Sequence, residues 1–220
     1  MTAQSRYDAL SRVYDAITLD RVVYGRARRR AVELLRLAPG DTVLDIGCGT
    51  GLSLELLREA VGATGTVIGL DPSQGMLARA RRRIHRHGWS NVSLVRADAA
   101  RLGDSALAEA AGRADAALFA LSLSVMPEPA AVLASSVAVL APGGRVAVMD
   151  AGVPPEPGGG RASAALEPVW RAVCRLAAAD ARSHPWELVG DVAAGPVVEA
   201  FHFGYVRVAA GTLPAGRDQQ

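Results

Sequence analysis

The amino-acid sequence predicts an α/β fold in which helices cover both faces of a mostly parallel, doubly wound sheet. Segments with strand and helix character alternate between residues 42 and 149. A glycine-rich turn follows the first of these strands, and an acidic residue ends the second. Strands that are joined in this order through helices lie parallel, with right-handed crossovers that place helices over the sheet.

The composition is that of a folded domain and not of a disordered chain. The 220 residues are 50% hydrophobic and 21% charged, which provides enough apolar surface for a substantial core. Only 5% are aromatic, so we expect small aliphatic side chains to fill that core. We expect residues 1–220 to form a single domain, since no segment has the composition of a linker.

The charges are nearly balanced and exclude several chemistries. There are 24 basic and 22 acidic residues, a formal net charge of +2, which argues against a nucleic-acid partner. Every basic residue is arginine, so no lysine can form a Schiff base or complete a phosphate-binding loop. The two cysteines, Cys48 and Cys174, are too few for a disulfide framework and lack zinc-ligand spacing, so we expect no metal.

The apolar segments are too short to cross a membrane. The longest covers residues 116–126, contains two serines and is followed by Pro127, whereas a spanning helix needs about 20 apolar residues. No apolar stretch typical of a signal peptide follows Met1. We therefore expect a cytoplasmic protein without an integral membrane segment.

The spacing of apolar residues predicts each element in turn. A helix over 20–37 has an apolar face, and most of its arginines lie elsewhere. We expect the arginine runs at 28–30 and 81–83 to be solvated, while a peripheral contact of the first with a membrane surface stays open. Strands are predicted at 42–46, 66–70, 92–95, 114–121 and 145–149, helices at 52–60, 72–88, 129–140, 162–182 and 185–192, and a closing hairpin at 196–203 and 205–210.

The most informative pattern is the strand at 43–46 with the Gly-Cys-Gly-Thr-Gly segment of residues 47–51, the glycine loop. Its three glycines tolerate positive φ and let the backbone approach a ligand without a Cβ in the way. Asp71 ends the next strand, where its carboxylate can accept hydrogen bonds from both hydroxyls of a ribose. Strand, glycine turn, helix and acid together indicate a nucleoside site.

An acidic residue before the loop distinguishes between the candidate nucleosides. The dinucleotide fingerprint needs glycine at position 52, where this chain has Leu52. Asp45 lies two residues before the first glycine, and its carboxylate would repel a pyrophosphate. The same carboxylate would attract the sulfonium or the α-amino group of S-adenosylmethionine, which is therefore the expected cofactor.

Four motifs occur in order over roughly residues 40–150. They are Asp45-Ile46-Gly47-Cys48-Gly49-Thr50-Gly51, Gly69-Leu70-Asp71-Pro72-Ser73 with Met76, Ala97-Asp98-Ala99, and Leu140-Ala141-Pro142-Gly143-Gly144. This set resembles the motifs of class I S-adenosylmethionine-dependent methyltransferases. Tyr14-Asp15 is also similar to a pair in the ubiquinone/menaquinone C-methyltransferase and bacterial phospholipid N-methyltransferase group. The resemblance implies a Rossmann-like, seven-stranded sheet whose last strand runs antiparallel.

The resemblance also implies a role for each matching position. The three glycines of the loop would contact the methionine part of the cofactor, and Asp71 would hold the ribose. Met76 would pack on the adenine, Asp98 would accept a hydrogen bond from its amino group, and Ser122 would lie near the reacting methyl. The implied contacts with S-adenosylmethionine, or with the product S-adenosylhomocysteine, are Asp45, Gly47, Cys48, Gly49, Gly51, Asp71, Pro72, Met76, Asp98, Ala99 and Ser122.

The implied reaction is an in-line displacement that methylates a small-molecule acceptor: a natural product, a quinone or a lipid head group. Tyr14 is a candidate for a cation–π contact with the sulfonium, and His184 for a general base. We expect a monomer or a homodimer. The chain would divide into an N-terminal lid (1–38), a cofactor-binding core (39–150), an acceptor-lid insertion (151–195) and a closing hairpin (196–212).

Each of these features also has a purely structural interpretation. The glycines can form a tight turn, Asp71 can cap a helix that starts near Pro72, and Asp98 can be a surface carboxylate. Met76 can be a core residue and His184 a loop histidine without a catalytic role. Two other functions stay open: a cyclase or decarboxylase that uses the sulfonium as a fixed charge, and a non-catalytic binding module.

Overall fold

The computed structural model describes residues 23–102, 114–153, 160–176 and 179–215. The helices are α1 (Gly25–Leu34), α2 (Leu54–Val61), α3 (Gln74–His87), α4 (Pro129–Val137), α5 (Gly160–Leu176) and α6 (Val189–Val192). The strands are β1 (Thr42–Ile46), β2 (Thr66–Asp71), β3 (Val92–Arg96), β4 (Ala114–Ala120), β5 (Leu140–Ala151), β6 (Ala194–Phe201) and β7 (Val206–Thr212). Short 3₁₀ turns lie at Ala99–Arg101, Leu123–Val125 and His202–Gly204.

The strands form one seven-stranded sheet in the order β3-β2-β1-β4-β5-β7-β6. The neighbours from β3 to β5 pair in parallel, and β7 is antiparallel to both β5 and β6. The predicted Rossmann-like sheet with an antiparallel last strand is confirmed. The chain order reverses between β1 and β4, and this switch point opens a crevice at the carboxyl ends of the strands.

Alternate residues of the central strands point into two apolar layers, one on each face of the sheet. In β1, Leu44 and Ile46 pack in the layer that holds α4, whereas Val43 packs in the layer that holds α1 and α2. Phe119 and Leu118 of β4 divide in the same way. All five side chains are fully buried, and each contributes about 2 kcal/mol to stability.

Strand β5 begins five residues earlier than the sequence predicted, because Pro142-Gly143-Gly144 continues the strand through an irregularity instead of ending in a turn. The pairing of β4 with β5 shifts register between Ala114 and Ala116. Gly143 has a φ of 76°, and its N–H donates to Pro214 O at 3.3 Å. The positive φ that glycine tolerates lets the chain bulge here and keep its pairing.

Helix α5 ends at Leu176, whereas the sequence predicted a helix that continues to Arg182. Asp180 Oδ1 accepts a hydrogen bond from Arg182 N at 2.9 Å and stabilises a turn in its place. Val153 N donates to Ala181 O at 2.8 Å, which holds this turn against the end of β5. The helix predicted at 185–192 is likewise shortened to α6, and a turn in which Glu187 N donates to His184 O at 3.0 Å precedes it.

Helix α1 is attached to the rest of the fold by arginines that the sequence predicted to be solvated. Arg28 is 6% exposed, and its Nη1 donates to Ser53 Oγ at 2.8 Å. Arg30 forms an ion pair with Glu199 of β6 at 2.7 Å. The prediction of a solvated face at 28–30 is therefore wrong, because α1 buries Arg28 against the start of α2. The membrane contact that depended on this face loses its support.

Candidate functional site

The predicted site residues follow the carboxyl ends of neighbouring parallel strands. The glycine loop follows β1, Asp71 ends β2, Asp98 follows β3 and Ser122 follows β4. Because parallel strands end at the same edge of a sheet, these positions lie around one crevice. Tyr14 lies outside the described residues.

The glycine loop is held by hydrogen bonds to the end of β2. Gly47 N and Cys48 N both donate to Leu70 O, at 2.8 and 2.9 Å. Gly49 N donates to Asp71 Oδ2 at 2.9 Å. Three consecutive N–H groups of the loop therefore already have acceptors within the protein.

The three glycines of the loop are needed for different reasons, although φ is positive at each. A Cβ on Gly47 would lie 2.5 Å from Ser122 Cβ, and one on Gly51 would lie 2.7 Å from Leu54 Cδ1. A Cβ on Gly49 would meet no atom of the described residues within 4 Å. Packing therefore requires Gly47 and Gly51, whereas Gly49 faces open space that a ligand can enter.

Asp71 joins β2 to the glycine loop and to the start of α3. Its Oδ1 accepts from Ser73 N at 2.8 Å, while Oδ2 accepts from Gly49 N. The cap of α3 is Ser73, whose Oγ accepts from Met76 N at 3.1 Å, so the helix-cap interpretation of Asp71 is wrong. Pro72 connects the two and is half-buried, and Met76 is buried. Each oxygen of a carboxylate has two lone pairs, so Asp71 can accept several hydrogen bonds at once.

Asp45 is a buried carboxylate in β1, with an exposed fraction of 1%. Its Oδ2 has no hydrogen-bond partner within the described part of the chain. Burial raises the pKa of Asp45 from 3.8 to about 7, against the lowering effect of Arg28, and the charge of Asp71 raises it further. A buried acceptor in this state favours a cation that supplies the missing hydrogen bond.

Cys48 fills the space between the loop and β2. A Cβ on Gly69 would lie 3.1 Å from Cys48 Sγ, so the thiol packs directly on that strand. Burial, together with the charges of Asp45 and Asp71, raises the pKa of the thiol well above its usual range. Cys48 is therefore a packing residue and not a nucleophile.

Asp98 and Ala99 begin the 3₁₀ turn that follows β3. The Asp98 side chain is exposed, and its Oδ1 accepts from Ala100 N at 3.1 Å, whereas Ala99 is buried. This bond uses one of the several acceptor positions of the carboxylate.

Ser122 connects the loop after β4 to the end of β1. Its Oγ donates to Ile46 O at 2.8 Å, and the side chain is 4% exposed. The preceding Leu121 has a φ of 57°, and its N–H donates to Met149 O at 2.7 Å. A leucine in the left-handed region stores strain, which is typical of functional segments.

Asp150, a buried carboxylate near the end of β5, was not predicted from the sequence. Its oxygens accept from Ser124 Oγ at 2.7 Å, from Ser124 N at 2.9 Å and from Ala151 N at 2.9 Å. Burial raises the pKa of Asp150 to about 6, against the lowering effect of these hydrogen bonds. Asp150 thereby fixes the loop after β4. An acid directly after the apolar strand Val-Ala-Val-Met was the available sequence signal.

His184 lies beside the end of β5 and not beside the glycine loop. Its Nε2 is 2.8 Å from Val153 O, its Nδ1 is 3.6 Å from Glu187 Oε1, and its ring stacks on Trp186. Since β4 separates β5 from β1, about 10 Å of sheet lies between the two regions. The contacts of both ring nitrogens agree with the interpretation of His184 as a loop histidine that holds the local structure.

The donor set of the crevice fits a cationic nucleoside better than a pyrophosphate. A pyrophosphate needs unpaired backbone N–H groups, and Gly47, Cys48 and Gly49 have already donated theirs. The open acceptor is Asp45 Oδ2, whose negative charge would repel a phosphate. The residues present therefore fit S-adenosylmethionine.

No group of three or more His, Cys, Asp or Glu side chains in the described ranges is arranged to hold a metal ion. No helix within those ranges is long and apolar enough to cross a membrane.

Residues 43–144 match the family described as "Methyltransferase domain". The chain is 33% identical over 150 residues to nocamycin O-methyltransferase of Saccharothrix syringae, which covers 68% of this chain and 51% of that protein. It is 32% identical over 133 residues to demethylmenaquinone methyltransferase of Listeria monocytogenes, covering 60% of this chain and 53% of that protein. The chain spans about half the length of these curated relatives.

Solved structures share the fold over almost the whole chain. A SAM dependent methyltransferase from Aquifex aeolicus matches with a TM-score of 0.62 and 20% identity, covering 97% of this chain and 100% of that chain. The [4+2]-cyclase SpnF also matches with a TM-score of 0.62 and 20% identity, covering 97% and 95%. At this identity the likeness concerns the fold alone.

Proposed function

We propose that the chain is a class I S-adenosylmethionine-dependent methyltransferase, and that it transfers the methyl group of this cofactor to a small, largely apolar acceptor. The observation that carries the proposal is Asp45, a buried carboxylate with an unpartnered oxygen close to a loop whose N–H groups are already bonded. Such a crevice favours a cationic nucleoside.

In this proposal the charged and polar groups of the crevice each hold one part of the cofactor. Asp45 pairs with the α-ammonium group, and the backbone at Gly49 approaches the methionine part. Asp71 accepts from the ribose hydroxyls while it keeps its bond from Gly49 N. Met76 forms one wall for the adenine, and Asp98 accepts from the adenine amino group, where its exposed carboxylate has unused lone pairs.

The other predicted contacts act by holding the loop in shape. Gly47 allows Ser122 to pack against it, and Gly51 does the same for Leu54. Cys48 fills the gap behind the loop. We assign these residues positioning roles, because their side chains or Cβ positions face protein atoms.

Bound S-adenosylmethionine supplies an activated methyl group, so the chain mainly has to align the acceptor, a contribution that can reach about 7–11 kcal/mol. An uncharged amine needs no base for its attack. For a phenol, His184 stays the proposed base, and its lone pair would be on Nδ1 because Nε2 faces Val153 O. His184→Asn should then lower kcat for phenols but not for amines.

The half-buried Trp170 of α5 offers an aromatic surface to a planar, apolar acceptor, and the buried Tyr24 and Tyr205 support its ring. Trp170 of α5 stacks on Tyr205 with ring centroids 5.2 Å apart, and the ring of Tyr24 lies edge-on to the ring of Trp170 with centroids 6.4 Å apart. Since β6 runs parallel to β5, the β6–β7 turn that precedes Tyr205 lies at the same edge as the glycine loop. The same class of acceptor is supported by two relatives, which are named nocamycin O-methyltransferase and demethylmenaquinone methyltransferase.

The test is incubation with S-adenosylmethionine labelled in the methyl group and a panel of phenolic, quinol and amine acceptors. We expect a labelled product and S-adenosylhomocysteine in equal amounts. Asp71→Ala should abolish both, because it removes the ribose acceptor and the bond from Gly49 N. Binding of cofactor without transfer to any acceptor class would contradict the proposal.

A second candidate is a cyclase that binds the same cofactor without consuming it, as the likeness in fold to the [4+2]-cyclase allows. Such an enzyme would convert its substrate while S-adenosylhomocysteine stays absent, so product analysis separates the two candidates. A third candidate, a non-catalytic module, would be favoured if calorimetry found no binding of either cofactor form. We further propose that residues 1–220 act as one cytoplasmic domain, as a monomer or a homodimer.

A further inference from the structure

Helix α3 concentrates positive charge in a chain that is otherwise nearly neutral. It carries five arginines and two histidines but no acidic residue, whereas the formal net charge of the whole chain is only +2. The arginines are Arg79, Arg81, Arg82, Arg83 and Arg86. A helix with this composition gains nothing from internal ion pairs and creates a strong local positive potential.

Four of these arginines surround one cavity beside the glycine loop. Arg79 lies three and four residues before the adjacent Arg82 and Arg83, and Arg86 lies four and three residues after them, so the four share a face of α3. Together with Thr50 they line a cavity of about 270 Å³. No acidic side chain lines this cavity within the described part of the chain.

The charges around the cavity are not all compensated by the protein. Arg82 and Arg86 are exposed and form no ion pair with any described residue. Arg83 Nε donates to Thr50 O at 3.3 Å, which ties this face of α3 to the glycine loop. Guanidinium groups that face one cavity repel each other, and an anion bound between them relieves this repulsion.

We propose that the arginine cavity of α3 binds a small ligand that carries two linked phosphate groups. Guanidinium groups bind phosphate oxygens through two parallel hydrogen bonds each, and the exposed Arg82 and Arg86 offer one such group to each of the two phosphates. The cavity volume corresponds to about nine water molecules, which is room for an ion of this size. The site is separate from the cofactor crevice, whose N–H groups are bonded and whose open acceptor is an acid.

The test is titration calorimetry of the full chain with inorganic pyrophosphate and, in a second arm, with a nucleoside diphosphate. We expect saturable binding of one ion, and a nucleoside that adds affinity would identify a nucleotide as the source of the phosphates. Arg82→Gln/Arg86→Gln should weaken binding about a hundredfold, because two charge-assisted pairs are lost. The matched control Arg29→Gln/Arg81→Gln removes the same charge at exposed positions outside the cavity.

The outcomes separate the site from general charge effects and from the cofactor crevice. An equal loss of affinity in both double variants, or no saturable binding to the unmodified chain, would overturn the proposal. So would displacement of pyrophosphate by saturating S-adenosylhomocysteine, since the ion would then occupy the crevice. All four substituted arginines are exposed, and thermal unfolding of both variants checks their folding. Pyrophosphate binding is measured without methyl transfer, so its result does not depend on the proposed activity.

Discussion

The sharpest prediction concerns the replacement of the buried Asp45 by asparagine. Burial raises the pKa of Asp45 from 3.8 to about 7 in the folded chain, while the nearby Arg28 lowers it and Asp71 raises it further. The folded state therefore binds more protons than the unfolded state between about pH 4 and pH 7. The contribution of Asp45 to the free energy of unfolding must therefore fall as the pH rises through this interval and then level off.

The magnitude follows from the size of the shift. A difference of about three pKa units corresponds to about 4 kcal/mol of stability lost when the carboxylate becomes charged. Asparagine cannot ionise and has no such loss. The unmodified chain loses about 3 kcal/mol of this stability between about pH 5 and about pH 8. The free energy of unfolding of Asp45→Asn, measured relative to that of the unmodified chain at the same pH, should therefore rise by about 3 kcal/mol over this interval.

The assay is urea unfolding of the ligand-free chain at about pH 5 and at about pH 8, the two ends of this interval. Asp191→Asn is the matched control, because Asp191 is exposed and its charge stays solvated. A stability difference for Asp45→Asn that is constant, or that shrinks toward pH 8, would refute the argument that desolvation governs this carboxylate. The same variant should weaken S-adenosylhomocysteine binding, because the α-ammonium group loses its charged partner.

Three further predictions follow from the geometry of the crevice. Gly47→Ala should destabilise the fold by about 3 kcal/mol in urea unfolding, because φ is positive and the Cβ would lie 2.5 Å from Ser122 Cβ. Gly49→Ala should cost only about 1 kcal/mol yet weaken S-adenosylhomocysteine binding by calorimetry; unchanged affinity would exclude Gly49 from the ligand surface. Ser124→Ala should cost about 2 kcal/mol at alkaline pH and less under acid conditions, where Asp150 is protonated and the lost hydrogen bond is no longer charge-assisted. Equal losses at both pH values would contradict this.

Most of the fold was predictable because it depends on local patterns. Alternating apolar segments with helical and strand periods, separated by glycine and proline turns, predict parallel strands joined by helices. The exceptions arise where distant segments meet. Gly143 bonds to the chain after β7 and extends β5, and Ala181 bonds to Val153 and shortens α5. No local signal reports such contacts.

The candidate site was predicted in its residue types but not in the tasks of the individual residues. The strand order brings Asp45, Asp71 and the glycine loop together, as the motifs indicated. The structure shows in addition that Gly47 is required by packing against Ser122. Asp150 was missed because its importance depends on a partner that is 26 residues away in the chain.

By itself, the sequence determined the fold class, the position of the crevice and the acidic character that distinguishes a cationic nucleoside from a pyrophosphate. These properties depend on residue type and on spacing along the chain. Only the tertiary structure decided that Arg28 is buried near Asp45, that one Asp45 oxygen lacks a partner, and that four arginines of α3 face one cavity. Burial and hydrogen-bond pairing depend on which distant segments meet, and the free energy of a charge depends on both.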